Sequence, residues 1–278
     1  MTNQLTTNAA LPRGQAAAFR LLEELARATF GRLKSAKELE ISQGEETITD
    51  IILLEMARLK PLGMRVIKVT KSEESIRGID WDWWIRRPDG QWAHLAVQAK
   101  KLSPDAGVYG SLGHKVRGIR QVELLEHYAK NYPQQPAVPV YCLYNFRFGL
   151  GQNIAWHCRL PRDETQLGCT ITPLPNVVNA LKKRGGRTFD ALNVHIDTVP
   201  WRCVLCPSPG SGCPTFTYPL FMKDEVFSRK GLPEKIASAI GNDLAIVADD
   251  GFPRLVFDGG SKIVVPQAVV VSDLGSEG

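Results

Sequence analysis

Several features that would assign a chain to a common class of protein are missing from this sequence. It has no run of about 18 apolar residues, so a transmembrane helix is not expected. Its opening residues, Met1–Leu11, are polar and lack the basic start and apolar stretch of a secretory signal. A phosphate-binding loop is also absent, because the glycine-rich stretch 107–113 lacks the closing Lys-Ser/Thr pair. Together these absences predict a cytoplasmic protein with no membrane partner.

Cysteines are few, and only three of the six stand close together. In a 278-residue chain without a signal peptide, reduced thiols are expected rather than disulfides. Cys203, Cys206 and Cys213 have a spacing similar to that of zinc ligands, with His195 as the nearest fourth ligand. Three prolines crowd that loop, however, and no second knuckle is present. We therefore expect three reduced cysteines there and no structural zinc.

Positive charge is concentrated in one part of the chain. The net charge is only +5, but residues 58–120 contain thirteen Lys or Arg against six Asp or Glu. A basic segment suits a phosphate-bearing partner, although solvated basic surfaces without a partner are common. Charge alone therefore leaves both interpretations open.

The order of the predicted elements indicates an α/β fold with a mixed sheet. Apolar residues at helical spacing predict helices over Gly14–Leu33, Glu45–Leu59 and Gly118–Asn131. β-Branched or alternating segments predict strands over Arg65–Thr70, Ile79–Arg86, Trp92–Lys100 and Ala137–Tyr144. Residues 87–91 predict a hairpin turn between the second and third of these strands. This order is typical of a mixed central sheet flanked by helices.

The second half of the chain has weaker patterns. Residues 1–12 are expected to be a disordered lead, residues 13–150 the α/β core, and residues 151–278 a C-terminal α/β extension packed on it. Helices are predicted in the extension at Asn176–Arg184 and Pro233–Ile240. Extended segments are predicted at Leu192–Asp197, Trp201–Leu205, Leu244–Val247, Leu255–Phe257 and Lys262–Val265. One domain with an elaborated C-terminal half is preferred to two.

Two neighbouring strands bring polar side chains to one face of the predicted sheet. Alternation places Gln98 and Lys100 on one face, and the apolar residues beside them on the other. It separates Asp80 in the same way from its aromatic neighbour Trp81. Because a tight turn joins the two strands, we expect them to pair antiparallel with their polar faces side by side.

These side chains have the chemistry that phosphodiester hydrolysis requires. A carboxylate binds a hard divalent cation through oxygen, and the cation lowers the pKa of a bound water. A nearby lysine orients that water or stabilises negative charge as it develops. No Ser-His-Asp or Cys-His arrangement in the sequence offers a competing nucleophile.

The motifs around these residues resemble the active-site signature of the PD-(D/E)xK nucleases. Gly78-Ile79-Asp80 followed by Gln98-Ala99-Lys100 is most similar to the Mrr-like restriction endonuclease branch, in which Gln commonly replaces the second acid. An upstream helical glutamate belongs to that pattern, and Glu46 matches it, with Glu45 and Asp50 as alternatives. The same order of motifs also resembles an uncharacterised bacterial family assigned to that superfamily. The resemblance covers residues 40–145.

The resemblance implies a restriction-endonuclease-like core and a nuclease that depends on Mg²⁺ or Mn²⁺. Glu46, Asp80, Gln98 and Lys100 would be the catalytic residues, and the first three of them would bind the metal. The implied substrate is nucleic acid, with double-stranded DNA preferred and anti-phage defence as the setting. The alternative is a catalytically decayed nuclease fold that binds nucleic acid or another partner. The oligomeric state stays open, with a homodimer as one option.

Further residues near the motif are candidates for supporting roles. Accessory roles in the site are assigned to Asp50, Asp82 and Gln121. Contacts to phosphates are assigned to the cations that flank the motif, namely Arg86, Arg87, Lys101, Lys115 and Arg117. Trp81 and Trp83 are expected in the core, whereas Trp84 shares the face of Asp80 and is a candidate for lining the substrate groove.

Gln98 departs from the standard signature, and its role can be tested directly. An amide oxygen is a weaker metal ligand than a carboxylate. If Gln98 is a ligand, Gln98→Glu should keep or raise Mg²⁺-dependent cleavage of a plasmid, because it restores the standard acid. If Gln98 only positions water or substrate, the added charge should lower the rate. Initial cleavage rates of the purified wild type and variant distinguish the two roles.

Overall fold

Five helices and twelve strands make up the described part of the chain. The computed structural model describes residues 13–58, 64–68, 78–86, 92–131, 136–149, 156, 160–205, 227–228, 246–247, 253–254 and 268–272. The first half contains α1 (Arg13–Glu38), α2 (Glu45–Arg58), β1 (Met64–Lys68), β2 (Trp81–Arg86), β3 (Trp92–Lys101), β4 (Lys115–Val116), β5 (Ile119–Arg120), α3 (Gln121–Lys130) and β6 (Val138–Tyr144). The second half contains β7 (Cys169–Pro173), α4 (Leu174–Leu181), α5 (Phe189–Asn193), β8 (Val199–Pro200), β9 (Phe227–Ser228), β10 (Ile246–Val247), β11 (Pro253–Arg254) and β12 (Ala268–Ser272). Short 3₁₀ helices lie at Gly110–Gly113, Glu164–Gly168 and Trp201–Leu205.

Eight of the described strands form one mixed sheet. Its order is β1-β12-β2-β3-β6-β7-β8, and β9 pairs with the start of β3. β2 and β3 are antiparallel, with Trp81 opposite Val97, which confirms the predicted strand pair. β3 and β6 are parallel, with Gln98 opposite Tyr141. The chain is therefore an α/β protein with a mixed central sheet flanked by helices, as its sequence predicts.

Each face of the sheet is covered by a different set of helices. α1 and α2 cover the face formed by Trp81, Trp83, Val97 and Ala99. α3 and α4 cover the opposite face, which includes Ala96 of β3. Alternation along β3 explains this division, since neighbouring side chains enter different layers. Each large apolar side chain that is fully buried in these layers contributes about 1.5–3 kcal/mol.

Residues beyond 150 belong to the same sheet. β7 and β8 extend it beyond β6, and both pairings are antiparallel. β12 lies between β1 and β2, antiparallel to the first and parallel to the second. The boundary expected at residue 150 therefore does not separate two sheets. Among the described helices, none has the length and apolar character that a membrane span requires.

Two of the extended segments predicted in the second half are wrong. Leu192–Asp197 includes the end of α5, followed by turns. The helix begins at Phe189, where Thr188 Oγ1 caps it by accepting a hydrogen bond from the Ala191 N–H at 3.2 Å. Trp201–Leu205 is a 3₁₀ helix, and the Trp201 ring lies edge-on to Trp83 with centroids 5.7 Å apart. Other predicted features lie outside the described residues, namely the lead 1–12, the turn 87–91, Pro233–Ile240, Leu255–Phe257 and Lys262–Val265.

Gly78 allows the chain to pass close to α3 immediately before Asp80. Its φ is +67°, in the left-handed region that favours glycine. A Cβ atom at this position would lie 2.7 Å from the carbonyl oxygen of Gln121, the first residue of α3. The missing side chain therefore lets the segment that carries Asp80 cross the start of α3.

Gly78→Ala should lower the free energy of unfolding by about 3 kcal/mol, because it adds a steric clash to an unfavourable φ. Gly118→Ala is the matched control, since Gly118 has a φ of +87° but nothing within 4 Å of an added Cβ. We expect the control to lose only about 1 kcal/mol. Urea unfolding followed by tryptophan fluorescence measures both losses. Equal losses would mean that the close approach to Gln121 does not require glycine.

Candidate active site

The candidate site lies where β3 continues beyond the start of β2. Their ladder begins with Trp81 opposite Val97, so the last residues of β3 extend past it. Asp80 occupies the next position. Its N–H donates to the Val97 carbonyl at 2.8 Å, and its Oδ2 accepts a hydrogen bond from the Ala99 N–H at 2.5 Å. The Asp80 carboxylate thus replaces a backbone carbonyl at this edge of the sheet.

Gln98 contacts Asp80 and leaves one buried oxygen unsatisfied. Its Nε2 donates to Asp80 Oδ2, and also to the Ala99 carbonyl at 3.2 Å. The residue is only 1% exposed, and its Oε1 has no hydrogen-bond partner among the described residues. Leaving a buried acceptor unsatisfied costs about 1–3 kcal/mol. An orphaned amide oxygen beside a carboxylate fits a hard divalent cation, which prefers oxygen ligands.

Carboxylates alone do not make a metal site here. Within the part of the chain that the structure describes, no three His, Cys, Asp or Glu side chains are grouped to hold a metal ion. A cation next to Asp80 would therefore need neutral oxygens as well. Gln98 Oε1 is one such oxygen. The Ala99 carbonyl is another, because it leaves the strand on the same side as the Ala99 N–H, which bonds to Asp80.

Lys100 is buried and paired with Glu45. Its side chain is 3% exposed, and its Nζ lies 3.0 Å from Glu45 Oε1. Glu45 Oε2 accepts hydrogen bonds from the Lys101 N–H at 2.9 Å and from Ser111 Oγ at 3.4 Å. Glu45 is the first residue of α2, where the helix dipole favours negative charge. These contacts join the start of α2 to the end of β3.

The structure pairs Lys100 with Glu45 rather than with Glu46, and the role predicted for Glu46 stays a prediction. Glu46 is the next residue of α2, turned by about 100° around the helix axis, and its side chain is exposed. Asp50 is half-buried further along the helix. Sequence periodicity cannot choose between adjacent glutamates at a helix start, because the choice depends on how the helix docks.

A buried hydrogen bond fixes the first turn of α2 to the sheet. Thr49 Oγ1 lies 3.0 Å from the Tyr144 hydroxyl and donates to the Glu45 carbonyl at 3.1 Å. Tyr144 is opposite Lys101 in the ladder between β3 and β6. Lys101 adds a second tie, because its Nζ donates to the Gln43 carbonyl just before α2. Lys101 is therefore engaged within the protein, and its predicted phosphate contact stays a prediction.

Sequence reasoning missed Tyr141, which lies beside the site. Tyr141 is opposite Gln98 on the same face of the sheet, and its hydroxyl is buried with no hydrogen-bond partner in the described part of the chain. Burial raises the pKa of Tyr141 above its usual range, and the carboxylates of Asp80 and Glu45 raise it further. The alternation of β6, with Tyr141 between two small apolar residues, was the signal that could have found it.

Gln121 lies close to the site, as its predicted accessory role requires. It begins α3, and its backbone N–H donates to the His114 carbonyl at 3.0 Å. Its carbonyl lies against Gly78, two residues before Asp80. Its side-chain Oε1 is buried and, among the described residues, has no hydrogen-bond partner. Gln121 thus carries a second buried amide oxygen, on a residue whose backbone carbonyl lies against Gly78.

Asp82 belongs to a separate buried network. His94 Nε2 lies 2.6 Å from Asp82 Oδ1, and the Tyr128 hydroxyl donates to Asp82 Oδ2 at 2.6 Å. The Trp84 ring stacks on His94 with centroids 4.2 Å apart. Both carboxylate oxygens of Asp82 are therefore engaged, and its predicted accessory role stays a prediction. Trp84 is fully buried and does not line a substrate groove.

The remaining predicted residues are exposed on the surface, buried in the core or outside the described structure. Lys115 and Arg117 are exposed on the hairpin of β4 and β5. Cys203 is buried. The positions left undescribed are the side chain of Arg86 and the whole of Arg87, Cys206 and Cys213.

One family model matches nearly the whole chain. It is described as a family of unknown function (DUF6615), and it matches residues 18–272. The match therefore includes both helical layers, the site and β12. No curated protein matches the chain.

Glu45→Gln should lower the free energy of unfolding by about 1–3 kcal/mol, because it leaves the buried Lys100 ammonium without a charged partner. Glu46→Gln removes the same charge from an exposed neighbour and should change stability by no more than about 0.5 kcal/mol. Urea denaturation of the two variants measures the difference. A loss from Glu46→Gln as large as that from Glu45→Gln would contradict the assignment of Glu45 to Lys100.

Proposed function

The chain belongs to the family of unknown function DUF6615, and from its site we propose that it is a metal-dependent nuclease that hydrolyses phosphodiester bonds in double-stranded DNA. The observation that carries the proposal is the end of β3, where Gln98 donates to Asp80 and keeps an orphaned amide oxygen, and where Lys100 follows two residues later on the same face of the strand. This order of helical acid, strand pair and Gln-x-Lys supports a restriction-endonuclease-like core of the PD-(D/E)xK type. A cytoplasmic role in anti-phage defence is proposed by family analogy alone.

Asp80 and Gln98 would hold the cation. When bound, Mg²⁺ or Mn²⁺ neutralises a substrate phosphate and lowers the pKa of a bound water. Asp80 is already oriented for this role, because the Ala99 N–H and the Gln98 amide both donate to its Oδ2. Such fixed ligands lose little freedom when a cation binds. Gln98 would bind the cation through its amide oxygen Oε1, which has no hydrogen-bond partner among the described residues.

Lys100 supplies the positive charge that acts on the reacting phosphate. Its Nζ is held by Glu45 Oε1 at 3.0 Å, and the side chain is almost completely removed from solvent. An ammonium group held by a carboxylate is suited to stabilising negative charge rather than to removing a proton. Glu45 positions Lys100 and balances its charge in a buried setting. Glu45 thus takes the place that the resemblance gave to Glu46.

A nucleic-acid-binding module built on a decayed nuclease fold is the second candidate. Two observations favour it. Gln98 provides no charge where the standard signature has an acid, and the described residues contain no cluster of three metal-binding side chains. Such a protein would bind nucleic acid through its basic surface without cutting it.

Cleavage assays on plasmid DNA, linear duplex and RNA, each with Mg²⁺, Mn²⁺ or EDTA, test the proposal. We expect duplex DNA to be cut only with metal, and Asp80→Asn to abolish cutting. Lys100→Ala should lower the rate about a hundredfold to a thousandfold, because one electrostatic group is lost. Lys130→Ala is the control, since Lys130 is 70% exposed and pairs only with Glu126 in the described residues.

Two results would contradict a metal-dependent nuclease that acts through Lys100. One is cleavage that persists in EDTA, and the other is an unchanged rate in Lys100→Ala. Circular dichroism of each variant shows whether a lost activity reflects a lost fold. Binding of nucleic acid without cleavage in either metal would favour the decayed module.

A further inference from the structure

The turn after α4 carries four exposed cations that the motif does not include. They are Lys182, Lys183, Arg184 and Arg187. Gly185 has a φ of +75°, and a Cβ atom on Gly186 would lie 2.0 Å from the Ala180 carbonyl. The two glycines therefore hold the turn tightly against the end of α4. This packing directs four positive charges outward from a stretch of six residues.

This turn contacts residues 109–113, a segment that also contacts the candidate site. The Arg187 carbonyl accepts a hydrogen bond from the Tyr109 N–H at 2.8 Å. The Arg187 guanidinium lies over Gly113, where an added Cβ would be 2.7 Å from its Nη2. Gly113 ends the short 3₁₀ helix that also contains Ser111, whose hydroxyl donates to Glu45. The cations of the turn are thus linked to the site through two residues of one 3₁₀ helix.

The hairpin of β4 and β5 adds three more exposed cations immediately after Gly113. They are Lys115, Arg117 and Arg120. Residues 114–120 and 182–187 contain no Asp or Glu. Glu123, which lies 3.9 Å from Arg120 on an exposed surface, offsets little of this charge. Two acid-free segments therefore meet at the contact between Arg187 and Gly113.

A buried polar network keeps the two segments in a fixed relation. Tyr109 is fully buried, and its hydroxyl donates to Asn145 Oδ1 at 2.6 Å. The same hydroxyl accepts a hydrogen bond from Asn193 Nδ2 at 3.2 Å. The Phe189 N–H donates to the Gly107 carbonyl at 3.2 Å. The surface is thus organised before any ligand binds, which reduces the entropy lost on binding.

We propose that residues 114–120 and 182–187 form one cationic track that binds the phosphate backbone of double-stranded DNA beside the site. The charge pattern identifies the ligand, because a duplex carries a negative charge for about every 1.7 Å of its axis and matches a continuous row of cations. This inference rests on the proposed nuclease function and names the surface by which its substrate is held. The track contacts phosphates and does not read base sequence.

Two charge-neutralising variants and a matched control test the track. The variants are Lys183→Gln/Arg184→Gln and Lys115→Gln/Arg117→Gln, and the control is Arg20→Gln/Lys34→Gln. The control removes two exposed cations from α1, which covers the opposite face of the sheet. Fluorescence anisotropy measures binding to a short DNA duplex in EDTA between about 50 and about 200 mM salt. The full-length protein is used throughout.

Each track variant should bind DNA about tenfold more weakly at low salt, and the slope of log K against log salt should become shallower by about 2. The control should retain the affinity and the slope of the wild type. Track variants that match the wild type, or a control that loses as much as they do, would overturn the track. A loss that is confined to an RNA duplex would overturn DNA as its ligand.

Cleavage by the wild type separates this inference from the proposed function. If the wild type cuts plasmid DNA with Mg²⁺ while the track variants bind like the wild type, the proposed nuclease function is supported and the proposed track is contradicted. If binding depends on the track but neither metal supports cleavage, the track is supported and the nuclease function is contradicted.

Discussion

The hydrogen bond between the Asp80 carboxylate and the Ala99 N–H is the interaction on which the arrangement of the site depends. It continues the ladder between β2 and β3 by one step, with a side-chain oxygen in place of a backbone carbonyl. The backbone of β2 is therefore free to turn away at Gly78 and cross α3. A charged group consequently sits at the edge of a central strand without breaking its hydrogen bonding. The hydrogen bond at the end of the strand pair therefore also fixes the orientation of the Asp80 carboxylate.

The polar groups around this point are expensive to bury, and the apolar layers on both sides offset that cost. Gln98, Tyr141 and Gln121 each keep a buried atom without a hydrogen-bond partner among the described residues. At about 1–3 kcal/mol for each such atom, the sum is a large part of the 5–15 kcal/mol by which proteins are typically stable. Tryptophans 81, 83 and 201 pack edge-to-face directly behind the site. The apolar layer on that face of the sheet thus backs the strand that carries the unsatisfied polar groups.

The parts of this fold that sequence could predict are those with strong local periodicity. Period-2 alternation defined the pairing of β2 with β3 and put Asp80 next to Gln98, because one face had to be apolar. Helical spacing found α1, α2 and α3 but could not decide between Glu45 and Glu46, which differ only in how α2 docks on Lys101 and Ser111. The engagement of Asp82 also escaped prediction, because its partner Tyr128 comes from a helix distant in sequence. Local periodicity also could not place β12 between β1 and β2, since both partners come from the first half of the chain.

The place of β12 in the sheet has a consequence for how the protein is made. β2 pairs with β3 almost as soon as both are synthesised, but its other neighbour is β12, where Val270 lies opposite Trp83. Until residues 268–272 leave the ribosome, the strand next to Asp80 has one unpaired edge, and such edges are templates for aggregation. Long-range parallel pairing is also slow to form. A growing chain therefore completes this part of its central sheet only after residues 268–272 have been made, and a ribosome that stalls earlier leaves β2 as an open edge.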